Sequence, residues 1–554
     1  MNIRLPRTAL IALVLTAATT YLGTACSAGG KSTFEAGGNG SGNNGSGGDG
    51  NGTGGDIIIG MGGSGNGGPT GDPTTCAEAA TYRTYIGCDF WPTVVANNVW
   101  SVFDYAVVVA NAGDQPADVT VTRGADTVAT ATVEPNDLAK IYLPWVESLK
   151  GPDADSCGSA TPLSATVREP NGAYHLVSSR PVTVYQFNAL EYAAQGGPPG
   201  KNWGSCPAQQ CLLDCFSYSN DASLLLPSTA MTGNYRVTSQ KGWPGANIGA
   251  YFAITGTEDA TNVQVKVSGK GQISGGGGVP STGANGIATF SVNRGEVVEV
   301  VFDPSSDPAG SLVYADKPVQ VISGLPCTQM PEGISACDHI EETVLPAETL
   351  GKHYFVVPPT SPNGNVVGHV VRIHGNVNGT QLSYPGATPP NAPLSINAGQ
   401  VFDLGVVSAP FEITGTNEFA VASFQLGAEL VDPNGGTQAK GDPAQSNAIA
   451  VEQYRIKYVF LGPSDYDVSY VDIIQPITAS IVLDGNPVSQ QPTAISSNFG
   501  INRVKLGPGN NGAHVLTSSE AVGIQVVGYG SYTSYQYPGG MNLKTIAPPP
   551  PPPK

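Results

Sequence analysis

The sequence predicts an all-β protein made of about four tandem β-sandwich-like units of roughly 100 residues each. Glycine and proline account for 72 and 45 of its 554 residues. Each costs roughly 1 to 3 kcal/mol inside a helix, which excludes long amphipathic helices. Apolar residues alternate with period two over short runs, as in Asn262-Val263-Gln264-Val265-Lys266-Val267, the mark of a half-buried strand. Glycine, proline and asparagine interrupt these runs about every 8 to 12 residues, as in sandwiches and barrels. With 40% hydrophobic residues the chain can bury a sizeable core. A formal charge of −18 repels phosphate backbones and argues against a nucleic-acid partner.

Residues 1–25 read as a lipoprotein signal peptide. Arg4 and Arg7 give a positive start, and Thr8 to Leu22 form an apolar stretch too short to span a bilayer comfortably. Leu22-Gly23-Thr24-Ala25-Cys26 resembles a bacterial lipobox, with Gly23 where an aliphatic residue is usual. Cys26 is therefore expected to carry the lipid and to hold the protein in the cell envelope, at the outer membrane or cell surface. Residues 27–75 contain 20 glycines mixed with Ser, Asn and Thr. Such a segment cannot balance its chain entropy by burial, so 26–75 is expected to be a lipid-attached tether. Asp49 and Asp56 lie in this segment without the nonapeptide period of a calcium repeat.

Eight further cysteines follow: Cys76, Cys88, Cys157, Cys206, Cys211, Cys215, Cys327 and Cys337. An even number in an exported chain reads as disulfides. Cys76–Cys88 and Cys327–Cys337 suit short local staples, and the full connectivity stays open. Cys206, Cys211 and Cys215 lack the paired spacing and nearby histidine of a metal knuckle. No metal or cofactor is expected.

The first unit covers 76–218 and includes the cysteine-rich insert; the others cover 219–336, 337–440 and 441–540. Each contains a buried-looking strand: Tyr105–Ala110, Ala250–Thr255, Val370–His374 and Val471–Gln475. A run broken by a turn follows at Ala131–Asp137, Thr289–Gly295 and Leu394–Gln400, and is blurred near Ser497–Val504. Each unit closes on a pattern that reads as a hairpin, strand then polar turn then strand. The four copies are Leu176–Phe187, Leu312–Ile322, Ile413–Ala422 and Leu516–Val526. Pro181 and Pro318 suit the start of a second strand, where a missing N–H is tolerated. Every sheet must bury its apolar face against another. Periodicity leaves open whether the units form a string of sandwiches or close into a propeller-like ring. Residues 541–554 end in Pro548–Pro553 and Lys554, expected to be an extended polyproline II tail.

Several blocks in order carry a family resemblance. Tyr85-Ile86-Gly87-Cys88-Asp89-Phe90-Trp91-Pro92-Thr93 and Phe103–Asn111, then Ser219–Pro227 and Cys337–Pro346, resemble the N-terminal domain of the IgG-Fc-binding protein family. The resemblance spans roughly residues 76 to 540. It implies a surface protein, and bacterial members are commonly lipoproteins, in keeping with the lipobox and tether. The animal namesake continues into cysteine-rich von Willebrand-type repeats that this sequence does not contain. The resemblance supplies no catalytic residues.

Asp338-His339-Ile340-Glu341-Glu342 is the densest set of metal-ligand residue types. Strand alternation would split it between two faces, so it reads as a polar loop beside the Cys327–Cys337 staple. His369 and His374 flank a strand and fall on opposite faces, while His175, His353 and His514 stand singly. There is no GxSxG, HExxH or P-loop motif. Asp465 and Asp467 form an acid pair with no accompanying motif. The chain therefore reads as a non-enzyme, a hydrolase assembled from distant loops being the remote alternative. Trp91, Trp100, Trp203, Trp243 and the tyrosines at 529, 532, 535 and 537 are recognition-type side chains, with core packing as the competing role. The expected function is non-catalytic adhesion or recognition of an extracellular protein or glycan. The alternative is an architectural envelope protein without a discrete ligand.

Overall fold

The computed structural model describes residues 71–111, 113–156, 158–159, 161–207 and 215–554. The signal, Cys26, the tether up to residue 70, Cys157 and Cys211 lie outside the described residues. Eight strands set the architecture: β1 (His175–Phe187), β2 (Ala222–Leu224), β3 (Val319–Thr328), β4 (Asp338–Thr343), β5 (Phe419–Gln425), β6 (Gln445–Asn447), β7 (Ala513–Gly530) and β8 (Thr533–Pro538). The four buried-looking runs are strands Ala106–Ala110, Tyr251–Gly256, His369–Gly375 and Val468–Pro476. Rich in apolar residues, they pair in turn with β1, β3, β5 and β7. Each of those long strands also pairs with the short strand that follows it, β2, β4, β6 or β8.

The closing pattern is not a hairpin. In the second unit Leu312–Ala315 pairs with Thr261–Lys266 and Asn234–Arg236, whereas β3 pairs with Tyr251–Gly256 in a different sheet. Phe411–Gly415 and β5 divide between two sheets in the same way. In the first and fourth units the chain runs through without a break. The start of β1 pairs with Ala117–Arg123 and its end with Ala106–Ala110. β7 passes from Arg455–Leu461 to Val468–Pro476. The polar residues, such as the exposed Ser179 and Arg180, mark a corner where a strand leaves one sheet for the next. Sequence shows the bend, but not that its two arms have different partners.

Each unit is thus a sandwich. The second encloses Val263, Val265, Val298, Val300 and Phe302 between its sheets, and the third encloses Val371, Ile373, Leu404 and Ile413. The strand just past each sequence-drawn boundary completes the preceding sheet: β2 joins the first unit, β4 the second and β6 the third. Val167–Glu169 crosses the other way, onto Val297–Val301 of the second unit.

β2, β4, β6 and β8 neighbour one another in cyclic order, with β8 against β2. The sandwiches are therefore the blades of a four-membered, propeller-like ring. Aromatic rings fill the closing seam, with Tyr185 and Tyr537 centroids 4.8 Å apart. Tyr529, Tyr535 and Tyr537 are fully buried, so core packing is their role. Past β8 the chain returns to its start, where Leu543 N–H donates to the Arg83 carbonyl at 2.9 Å. The proline tail is held to the body at both ends: Ile546 N–H donates to the Glu348 carbonyl, and Lys266 Nζ to that of Lys554. Disulfides Cys76–Cys88, Cys206–Cys215 and Cys327–Cys337 staple short loops.

Candidate functional site

The four short strands meet at the ring axis, and there the polar sequence is buried. Asp338–Thr343 is strand β4, closed to solvent throughout, and not a polar loop. The converging strands supply donors to Asp338 and Glu341, whereas His339 Nδ1, Glu342 Oε2 and Thr343 Oγ1 have no hydrogen-bond partner among the described residues. Asp221, immediately before β2, forms the centre. One carboxylate oxygen accepts Ala222 N–H at 2.9 Å and Gln536 N–H at 3.4 Å; the other accepts Glu341 N–H at 3.0 Å and Gln445 N–H at 2.9 Å. One side chain thus ties all four axial strands. Asp338 accepts from Asn220 and His339 N–H, and from the Thr533 hydroxyl at 3.1 Å. Glu341 accepts from Gln186, Ser223 and Asn188 side chains.

Burial pushes Asp221, Asp338, Glu342 and Asp442 well above the usual carboxylate range. At Asp221 the backbone N–H donors act against that shift. Glu299, which accepts Ala96 N–H at 2.8 Å, is pushed up to about 8, chiefly by burial. These acids are closed to solvent; Asp221 and Asp338 accept with both oxygens, Glu342 and Glu299 with one each, and among the described residues the Asp442 oxygens have no hydrogen-bond partner. Among the described residues no group of three or more His, Cys, Asp or Glu is placed to hold a metal ion.

The remaining titratable residues are dispersed. His369 and His374 lie along one buried strand and are pushed down to about 3, mainly by burial. His175, His353 and His514 each face a carboxylate, Asp89, Glu412 and Asp484, at 2.7 to 2.9 Å. Asp465 pairs with Lys140 at 2.5 Å and Asp467 with Lys440 at 3.2 Å, so the acid pair is two separate ion pairs. Trp91 and Trp100 are buried. Trp91 stacks on His175, with ring centroids 4.3 Å apart. Trp203 is half-buried and donates to the Gly196 carbonyl. Trp243 is likewise half-buried, on a groove between the second and third units.

A repeated tyrosine escapes reading by period. After β2, β4 and β6 come 3₁₀ turns at Ser228–Ala230, Ala347–Thr349 and Val451–Gln453. Tyr235, Tyr354 and Tyr458 follow. Each hydroxyl accepts the backbone N–H three residues earlier and donates to a carbonyl just past the corner, at Val319, Phe419 or Val522. Aligning the chain on these tyrosines would have found the repeat, because the brace recurs while its flanking residues differ.

The sequence matches the family described as IgGFc binding protein over residues 221–528. That stretch is more than half of the chain and begins at the axial Asp221. The chain belongs to the IgGFc-binding protein family. The family is one of binding proteins. A human protein named IgGFc-binding protein is 26% identical over 221 residues, 35% of this chain and 4% of the human protein. The chain thus matches only a small part of that relative's length. No solved structure matches.

Proposed function

We propose that this protein is a non-catalytic recognition module, displayed on the bacterial cell surface through a lipid on Cys26 and a glycine-rich tether. Its ligands would be glycoproteins or other surface polymers. The observation that carries this reading is the match to a binding-protein family over residues 221–528, which spans three of the four blades and starts at the residue that ties them together. A chain whose axial acids are enclosed as acceptors is suited to hold loops and grooves rigidly for a partner, with less ordering entropy lost on binding.

The test uses the body from residue 71 onward, which lies within one compact unit. Immobilised, it is offered to arrays of glycoproteins and glycans and to immunoglobulin Fc, the ligand in the human relative's name. Saturable retention of one class is expected. Failure of every class would favour the architectural alternative. In the full chain, Cys26→Ser should shift the protein from the membrane to the soluble fraction; unchanged retention would refute the anchor.

A further inference from the structure

Trp243 is set apart from the other tryptophans. The chain has five. Trp91, Trp100, Trp145 and Trp203 donate their indole N–H to Ser228, Ala154, Phe103 and Gly196 respectively, and all four pack into or against a buried cluster. Among the described residues Trp243 has no acceptor for its indole N–H and joins no apolar cluster. It is nevertheless held in place. Its backbone N–H donates to the Ile248 carbonyl at 2.8 Å and its carbonyl accepts Ile248 N–H at 3.1 Å. Gly245 lies against the indole, where an added Cβ would stand 3.2 Å from Nε1. A large, flat, half-buried side chain is thus fixed in place with its N–H unused.

Trp243 lines a groove of about 190 Å³ between the second and third units. The groove is also lined by Val406, the buried Met330 and the polar Gln329, Lys241, Glu332 and Asp403, with Glu332 paired to Lys241 at 2.8 Å and Asp403 facing Arg372 at 3.7 Å. Val406 is 41% exposed. At about 30 Å³ per water the space holds roughly six waters, close to one sugar ring and far below a folded partner. A pyranose presents an apolar C–H face and a rim of hydroxyls. An indole plate beside a primary amide and the Lys241–Glu332 ion pair complements both, since the rim offers hydroxyls a donor and acceptors. The neighbouring edge strand Val401–Val407 is bulged, with Gly405 at φ +70, which interrupts the unbroken edge that an added peptide strand would need. A proline-rich ligand needs an aromatic-lined groove, and here there is one indole.

We propose that Trp243 is the stacking platform of a saccharide subsite in this groove, taking one neutral pyranose of a glycan chain. The proposal rests on the recognition function above and specifies its ligand chemistry. The body from residue 71 onward is titrated with methyl pyranosides of the neutral hexoses and N-acetylhexosamines, with tryptophan fluorescence as the readout. In parallel, its binding to the glycoprotein retained on the array is measured with wild type and Trp243→Ala. Because Trp243 is outside the core, the variant should keep the wild-type unfolding midpoint. The expected result is saturable quenching by at least one sugar, absent in the variant, and at least a tenfold loss of glycoprotein affinity. Undiminished glycoprotein binding by a folded Trp243→Ala overturns the subsite and leaves the recognition reading standing. Quenching by a Pro548–Pro553 peptide, with none by any sugar, also overturns it. Failure of the wild type to bind any class on the array overturns both.

Discussion

Asp221 is a single side chain on which the ring depends. Backbone N–H groups from β2, β4, β6 and β8 converge on its two oxygens in a region without solvent. Truncation would leave those donors unpaired, at about 1 to 3 kcal/mol each. Asp221→Ala should therefore lose roughly 4 kcal/mol or more in chemical denaturation. Asp221→Asn, keeping one acceptor oxygen and setting an N–H₂ against the other donors, should fall between. A midpoint equal to wild type would remove the residue from this role. From sequence Asp221 was visible only as part of a family block. An acid preceding a short apolar strand gives no sign of its distant partners, since the donors are backbone groups that leave no trace in residue identity.

At the scale of elements, the corner and the strand after it act as a pair. The Cys327–Cys337 bridge ends immediately before β4, so it fixes the entry of the most polar axial strand. Its sequence separation of 10 corresponds to about 3 kcal/mol by loop-closure entropy. Cys327→Ser with Cys337→Ser should lower stability by that order, and hydrogen exchange should quicken first in β4. Uniform acceleration across all blades would show that the bridge does not act locally. The bridge was legible from cysteine spacing, and the central strands from their apolar runs. The corners were half legible: Ser178-Ser179-Arg180-Pro181 marks a bend, and a bend joins either two paired strands or two sheets. Asp338–Thr343 was misread because polar alternation on its own describes an exposed segment. Only the neighbouring strand edges make such a segment buriable.

At the scale of the whole molecule, the buried acids make stability depend on pH. Glu299 is pushed up to about 8 and Glu191 to about 7, each chiefly by burial, against an ordinary value of 4.5. The folded chain therefore keeps protons that the unfolded chain releases above pH 4.5. This stabilising contribution is complete below 4.5 and is lost as pH rises toward 8. His369 and His374 act oppositely, because the unfolded imidazoles gain protons below 6.5 while the folded ones stay neutral to about 3. The thermal midpoint should thus rise as pH falls from 8 to 6.5, then climb less steeply toward 5. A midpoint that falls over the first interval would contradict the burial of these acids in protonated form.

The sequence by itself determined the all-β class, the fourfold repetition and the family, and it suggested two local disulfides, since these follow from period, turn residues, spacing and ordered motifs within short stretches. The tertiary structure decided that the sandwiches close into a ring, that the apparent hairpins are corners between sheets, and that an acidic segment forms the axis. It also separated Trp243 from Trp91, Trp100 and Trp203. Each of these depends on which distant backbone or side chain fills a partner's hydrogen bonds or covers its face, and such pairing is settled only when residues far apart in the chain are brought together.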